Sequence, residues 1–324
     1  MAFYDNSINA AGKGRGRARW APTSPVPIAY HGRSADARCA VPLDPFIVET
    51  RTMPRIGPIP ALAAAALACI AVMLSSPSAA QAAKSTECAK IGICYCVSTD
   101  LKPVIEARIA QFRQTAAEQR KAGKAVGYLS VPLSPAGGGY MKLNFEVAAA
   151  AKAAIEKRYG GDYVWVLNPG AAEPLPKGSG ADYMLMWTSI LEGHDGLGED
   201  FDFVYFAGPQ DFARVFELDG TADMAKIDQY FDKRVKTDPD LEKAMKAGLT
   251  KPAFRTYYAL KASSAFSKGA HDEWNIIRVI NERRRNEQRL GIPDQLPVLF
   301  DGRAVPAANS ETVVSDGYVG KCKM

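Results

Sequence analysis

The turn Ser267-Lys268-Gly269-Ala270-His271 runs into an acidic pair, Asp272-Glu273, that opens a stretch with helical spacing as far as Arg285. A carboxylate at the start of a helix meets the positive end of the helix dipole, so the pattern predicts an ionised Glu273. Such a group can attack an anomeric carbon and hold the sugar as a covalent glycosyl intermediate. Tyr128 can hydrogen-bond the carboxylate, while Asp272 or His271 can protonate the departing group, as a second acid of different pKa. The plainer reading of Asp272 and Glu273 is that they cap a helix and nothing more.

These residues need a scaffold, and residues 125–169 outline one: strand, glycine-rich loop, helix, strand. The apolar run 126–133, stopped by Pro132 and Pro135, suits a buried strand of a parallel sheet. Beyond Gly137-Gly138-Gly139 the spacing predicts a helix with Asn144 as its N-cap, ended by Lys157, Arg158 and Gly160-Gly161. A second strand is expected at 163–167, a third at 201–207, a fourth at 255–261 and a last short one at 296–300. Helices are expected at 101–122, 181–191, 210–216, 221–234, 238–247 and 272–285. Strands alternating with helices predict an α/β fold, a doubly wound and mostly parallel sheet of about five strands. Ligands in such sheets lie beyond the carboxyl ends of the strands. That rule selects Ser130, Asn168, Asp211, Ser267 and Gly269 as candidate substrate-binding residues beside Glu273, Tyr128, Asp272 and His271. The triple glycine has neither the dinucleotide-binding pattern nor a P-loop lysine, and no cofactor is expected.

Three segments resemble one known family. Tyr128-Leu129-Ser130-Val131-Pro132, Asn144-Phe145 and Val166-Leu167-Asn168-Pro169 are similar to the first βαβ unit of the nucleoside 2-deoxyribosyltransferase-like, Rossmann-like proteins. The Gly269-to-Glu273 spacing resembles the family's Asp-x-Gly-Thr-x-x-Glu motif. Ser267 stands in place of the motif's aspartate, Ala270 in place of its threonine, and Val131 in place of the usual glycine of the first segment. The resemblance implies Glu273 as nucleophile and a nucleoside-like ligand.

The front of the chain differs from the rest. Residues 1–52 alternate Gly, Ser, Pro and Arg without periodicity, as a disordered or over-long extension would. Residues 53–82 have the layout of a secretory signal peptide, with Met53-Pro54-Arg55, an apolar run of about 14 residues that is short for a membrane span, and Ala80-Gln81-Ala82 as cleavage site. An uncleaved signal anchoring the chain in the inner membrane is the alternative. Residues 83–324 are then expected as a single periplasmic or secreted domain. The whole chain has 40 basic and 35 acidic residues, of which eight and four lie before residue 83, leaving 32 and 31. That near balance gives no argument for nucleic acid or an anionic membrane as partner, and a small molecule is the expected ligand.

Four cysteines follow the signal: Cys88, Cys94, Cys96 and Cys322. A Cys94–Cys96 bridge closes too tight a loop, which pairs Cys88 with one of those two and Cys322 with the other, tying the ends together. A thiolate metal site at Cys88, Cys94 and Cys96 has no second CxxC and no nearby His to complete it. His194-Asp195 with Glu199, Asp200 and Asp202, and His271-Asp272-Glu273, place His beside carboxylates without recognised ligand spacing, so no metal site is assigned. A metal reading requires His194 and His271 to approach one another. A non-catalytic secreted module that binds a small molecule or an envelope protein is the alternative to the enzyme.

Overall fold

The computed structural model describes residues 83–323. The expected extension 1–52 and signal peptide 53–82 lie outside them.

A parallel sheet is built where the sequence carries short apolar runs. β3 (Ala125–Ser130), β4 (Val164–Leu167), β5 (Phe203–Phe206) and β6 (Val298–Phe300) are parallel, and the two-residue β7 (Arg303–Ala304) adds an antiparallel edge. Their spatial order is β4-β3-β5-β6-β7. The chain thus steps from β3 outward to β4 and returns past β3 to β5. The second of these crossovers runs through α3 (Gly180–Glu192) and the first through α2 (Met141–Tyr159).

Period-two alternation divides each strand between two cores. Val126, Tyr128, Leu167, Val204, Phe206 and Val298 face one core, shared with α3, α1 (Lys102–Lys121) and α8 (Lys268–Glu287). Leu129, Val164, Val166 and Tyr205 face the other, shared with α2, α4 (Pro209–Phe216), α5 (Asp223–Val235), α6 (Pro239–Lys246) and α7 (Lys251–Thr256). Neighbouring strands approach closely at Gly127, where an added Cβ would lie 2.2 Å from the Phe203 ring.

Two expectations need correction. Residues 255–261 are helical: Thr250 caps α7 through the Ala253 N–H, Pro252 sits in its first turn, and Tyr257–Lys261 continues as a π-turn. The aromatic Tyr257-Tyr258 pair resembles a strand by propensity, yet the widened turn buries both side chains against the second core. Asn144 does not cap α2, which starts three residues earlier after Tyr140. It is fully buried instead, donating to the carbonyls of Leu133 and Ser134 and accepting from the Tyr258 hydroxyl at 2.7 Å.

A hairpin not foreseen as strands, β1 (Lys84–Cys88) with β2 (Cys94–Ser98), packs on α3. Asp182 at the start of α3 accepts the Ser98 N–H at 2.7 Å, which joins the two. Disulfides join Cys88 to Cys94 and Cys96 to Cys322. Both fit the expected pairing rule, and they leave no thiolate among these four for a metal. In the chain-entropy description the second bridge, spanning 226 residues, stabilises by about 5 kcal/mol and the short one by about 2. No described helix is long and apolar enough to cross a membrane.

Candidate active site

Tyr128 and Ser130 are two residues apart on β3, so their side chains leave the sheet on the same face. α8 crosses that face, and its sixth residue, Glu273, meets both. The Tyr128 hydroxyl donates to Oε1 at 2.5 Å and the Ser130 hydroxyl donates to Oε2. All three side chains are buried. They lie at the carboxyl end of the strand where the connections part to opposite faces, the position at which open α/β sheets hold ligands.

Burial, not the dipole, dominates the charge state of Glu273. Removal from water pushes its pKa from an ordinary 4.5 to about 7, while the two hydroxyl donors pull the other way and the nearby Asp272 carboxylate pushes up again. Glu273 is not in the first turn as expected: the helix starts five residues before it, and at the sixth position the dipole has faded. Tyr128 is driven well above its ordinary pKa by burial and by the Glu273 charge, so it remains a proton donor to the carboxylate.

The other expected residues do not join this group. Asp272, one residue along, accepts the backbone N–H groups of Gly317 and Tyr318, both at 2.7 Å. His271 bonds through Nδ1 to Ser315 Oγ and through Nε2 to the Ala265 carbonyl. Trp274 Nε1 donates to the Thr312 carbonyl, and Asn275 exchanges hydrogen bonds with Val314. The first turns of α8 are therefore gripped by a C-terminal strap, residues 312–318, whose far end is bonded to β2 through Cys322. Ser267 caps α8 by accepting from the Ala270 N–H, and an added Cβ on Gly269 would touch Met184 Sδ at 3.4 Å. Asn168 accepts the Gly170 N–H in the turn after β4. Asp211 accepts from the Tyr205 hydroxyl and the Gly208 N–H, on the opposite side of the sheet.

Sequence reasoning missed the strap and underused Ser130, which it assigned to substrate although the alternation along β3 already put it beside Tyr128. Ser264, which the strand-end rule also places at the cleft, has a structural part: its hydroxyl donates to the Ala207 carbonyl at 2.8 Å and the Ser130 carbonyl at 3.3 Å, clamping the ends of β5 and β3. Two of the three glycines approach α7 and the turn after it: an added Cβ on Gly138, at φ +112°, would lie 2.5 Å from the Ala253 carbonyl oxygen and one on Gly139 2.9 Å from the Tyr257 ring, while Gly137 has nothing within 4 Å.

Among the described residues no group of three or more His, Cys, Asp or Glu is placed to hold a metal ion. His194 neighbours Arg113, at 3.5 Å from Nδ1, and His271 is committed to the strap, so the two do not share a site. Cavity size and chemistry point to different places. A cavity of about 540 Å3 lies along α1, lined by Glu106, Ile109, Arg113, His194 and Asp200, and does not include Glu273. It contains no nucleophile held between two donors, which is the feature that sets Glu273 apart. Compared with known proteins, the chain matches no family model, no curated protein and no solved structure.

Proposed function

We propose that this chain is a periplasmic or secreted N-glycoside hydrolase or transferase acting on a nucleoside-like ligand, with Glu273 as nucleophile. The observation that carries the reading is the buried carboxylate of Glu273 between the Tyr128 and Ser130 hydroxyls at the carboxyl end of β3. The same pairing supports the Rossmann-like, nucleoside 2-deoxyribosyltransferase-like resemblance, whose tyrosine and glutamate positions fall on Tyr128 and Glu273. The two disulfides support an oxidising compartment.

In the proposed reaction a carboxylate oxygen of Glu273 attacks the anomeric carbon. The carbon–nitrogen bond breaks, its electron pair stays on the base nitrogen, and that nitrogen takes a proton from water. Water or a second base then attacks the same carbon, breaks the glycosyl ester and restores the carboxylate. Tyr128 and Ser130 position the carboxylate and hold its charge. Asp272 and His271, bound to the strap, take no acid role in this scheme. Glu273 is covered in the described conformation, so the ligand enters when the strap and the first turns of α8 move apart.

The test is release of free base from a panel of nucleosides and nucleotides, measured by chromatography, with Glu273→Gln and chelator-treated samples alongside. Release that Glu273→Gln abolishes and chelation leaves intact is expected. A folded wild-type chain that releases no base from any of them overturns the enzyme and favours a binding module; release lost only on chelation overturns the carboxylate mechanism.

A further inference from the structure

Three arginines from three separate elements line one cavity of about 280 Å3: Arg158 at the end of α2, Arg214 on α4 and Arg303 on β7, with Tyr205 in its wall. Tyr205 faces the second core, together with Leu129 and away from Tyr128, so this cavity lies on the opposite side of the sheet from Glu273.

The guanidinium groups are unequally committed. Arg214 pairs with the buried Asp211 at 3.1 Å. Arg158 donates to the Gly302 carbonyl at 3.3 Å and has no carboxylate partner among the described residues. The Arg303 side chain has neither a hydrogen bond nor an ion pair among the described residues. The one carboxylate in the lining, Asp301, is turned to the start of α4, where its Oδ1 accepts the Gln210 N–H at 3.0 Å. Three cations against Asp301 and Asp211 leave a net positive hollow in which Arg303 is uncommitted and Arg158 is held only by the Gly302 carbonyl and the face of the Tyr159 ring. Guanidinium forks donate paired hydrogen bonds to carboxylate and phosphate alike, and three cations around one hollow favour the doubly charged, three-oxygen phosphate over a single carboxylate. The volume is at or below the lower end for whole small-molecule ligands, roughly 300 Å3, and suits a single head group.

We propose that the Arg158–Arg214–Arg303 cavity binds a phosphate group, either the free ion or the head of a phosphate monoester. The site needs no turnover and stands independently of the Glu273 chemistry.

Calorimetric titration of the full chain at fixed ionic strength tests it, with inorganic phosphate, ribose 5-phosphate and acetate as probes. Saturable binding of phosphate or of the ester, but not of acetate, is expected, and the tighter of the two identifies the source. Arg158→Gln with Arg303→Gln should weaken it at least about tenfold. Arg303→Gln alone, at an exposed hairpin position, should weaken it measurably and serves if the double variant melts early. Absence of binding by both phosphate probes, acetate binding of equal strength, or phosphate binding unchanged in these variants would overturn the proposal.

Discussion

The Tyr128 hydroxyl donates to Glu273 Oε1 across 2.5 Å, although 145 positions separate the two residues in the chain. β3 and α8 are joined only through the tertiary fold, so this contact reports the docking of the last long helix onto the first strand of the parallel sheet. It is a charge-assisted hydrogen bond whenever Glu273 is ionised, and among the stronger polar contacts available to a buried carboxylate.

Tyr128→Phe removes one of the two donors that favour the ionised form. The Glu273 pKa should then rise above about 7, and the rising limb of the pH–activity profile should move to higher pH. For a rise of about one pKa unit (~1.4 kcal/mol) the ionised fraction, and with it the base-release rate, should fall about fivefold at pH 7 and approach tenfold at lower pH. A profile displaced downward without moving along the pH axis would show that Tyr128 only packs.

The fully buried Glu273 also makes stability depend on pH in an unusual direction for a carboxylate. Below its ordinary 4.5 the group is protonated in both folded and unfolded chains and costs nothing. Between 4.5 and about 7 the unfolded chain ionises first, so stability falls as pH rises, and above that range the full cost remains, on the order of 3 kcal/mol. Glu273→Gln keeps a hydrogen-bonding amide between Tyr128 and Ser130 and lacks this titration. Denaturant midpoints measured across that window should fall for the wild type relative to Glu273→Gln, and parallel curves would contradict the buried, protonatable carboxylate.

Much of the positioning was legible in residues 125–169, because a buried parallel strand, a glycine break and a helix ended by Lys157, Arg158 and Gly160 leave strong local patterns. The helix at Asp272 was legible for the same reason. What failed was set at long range. Tyr257-Tyr258 has strand-like composition, and only its packing against Tyr140 and Phe254 makes it helical. Asp272 and His271 look like acids beside a nucleophile, whereas a strap some 45 residues later engages them, Asp272 through two backbone N–H groups and His271 through the Ser315 hydroxyl. Nothing local to residues 312–318 announces that role. The pKa of Glu273 was misjudged because the sequence shows a helix start but not the depth of burial.

Cys322→Ser should release the far end of the strap and cost about 5 kcal/mol of stability in the chain-entropy description. Hydrogen exchange at the Gly317 and Tyr318 amides, which Asp272 now binds, should quicken more than exchange within β3. Cys88→Ser, which opens only the short hairpin bridge, should cost about 2 kcal/mol and leave those amides protected. Equal protection at 317 and 318 in wild type and Cys322→Ser would show that the hydrogen bonds alone hold the strap.

The nucleophile itself is tested most directly by trapping. A 2-fluoro-2-deoxyarabinosyl nucleoside slows the second, deglycosylating step, so intact-mass and peptide mass spectrometry after incubation should show one sugar added to the peptide carrying Glu273, with none on Glu273→Gln. A wild-type chain that releases base from the natural nucleosides yet carries the sugar on another residue, or carries none, would contradict Glu273 as the nucleophile.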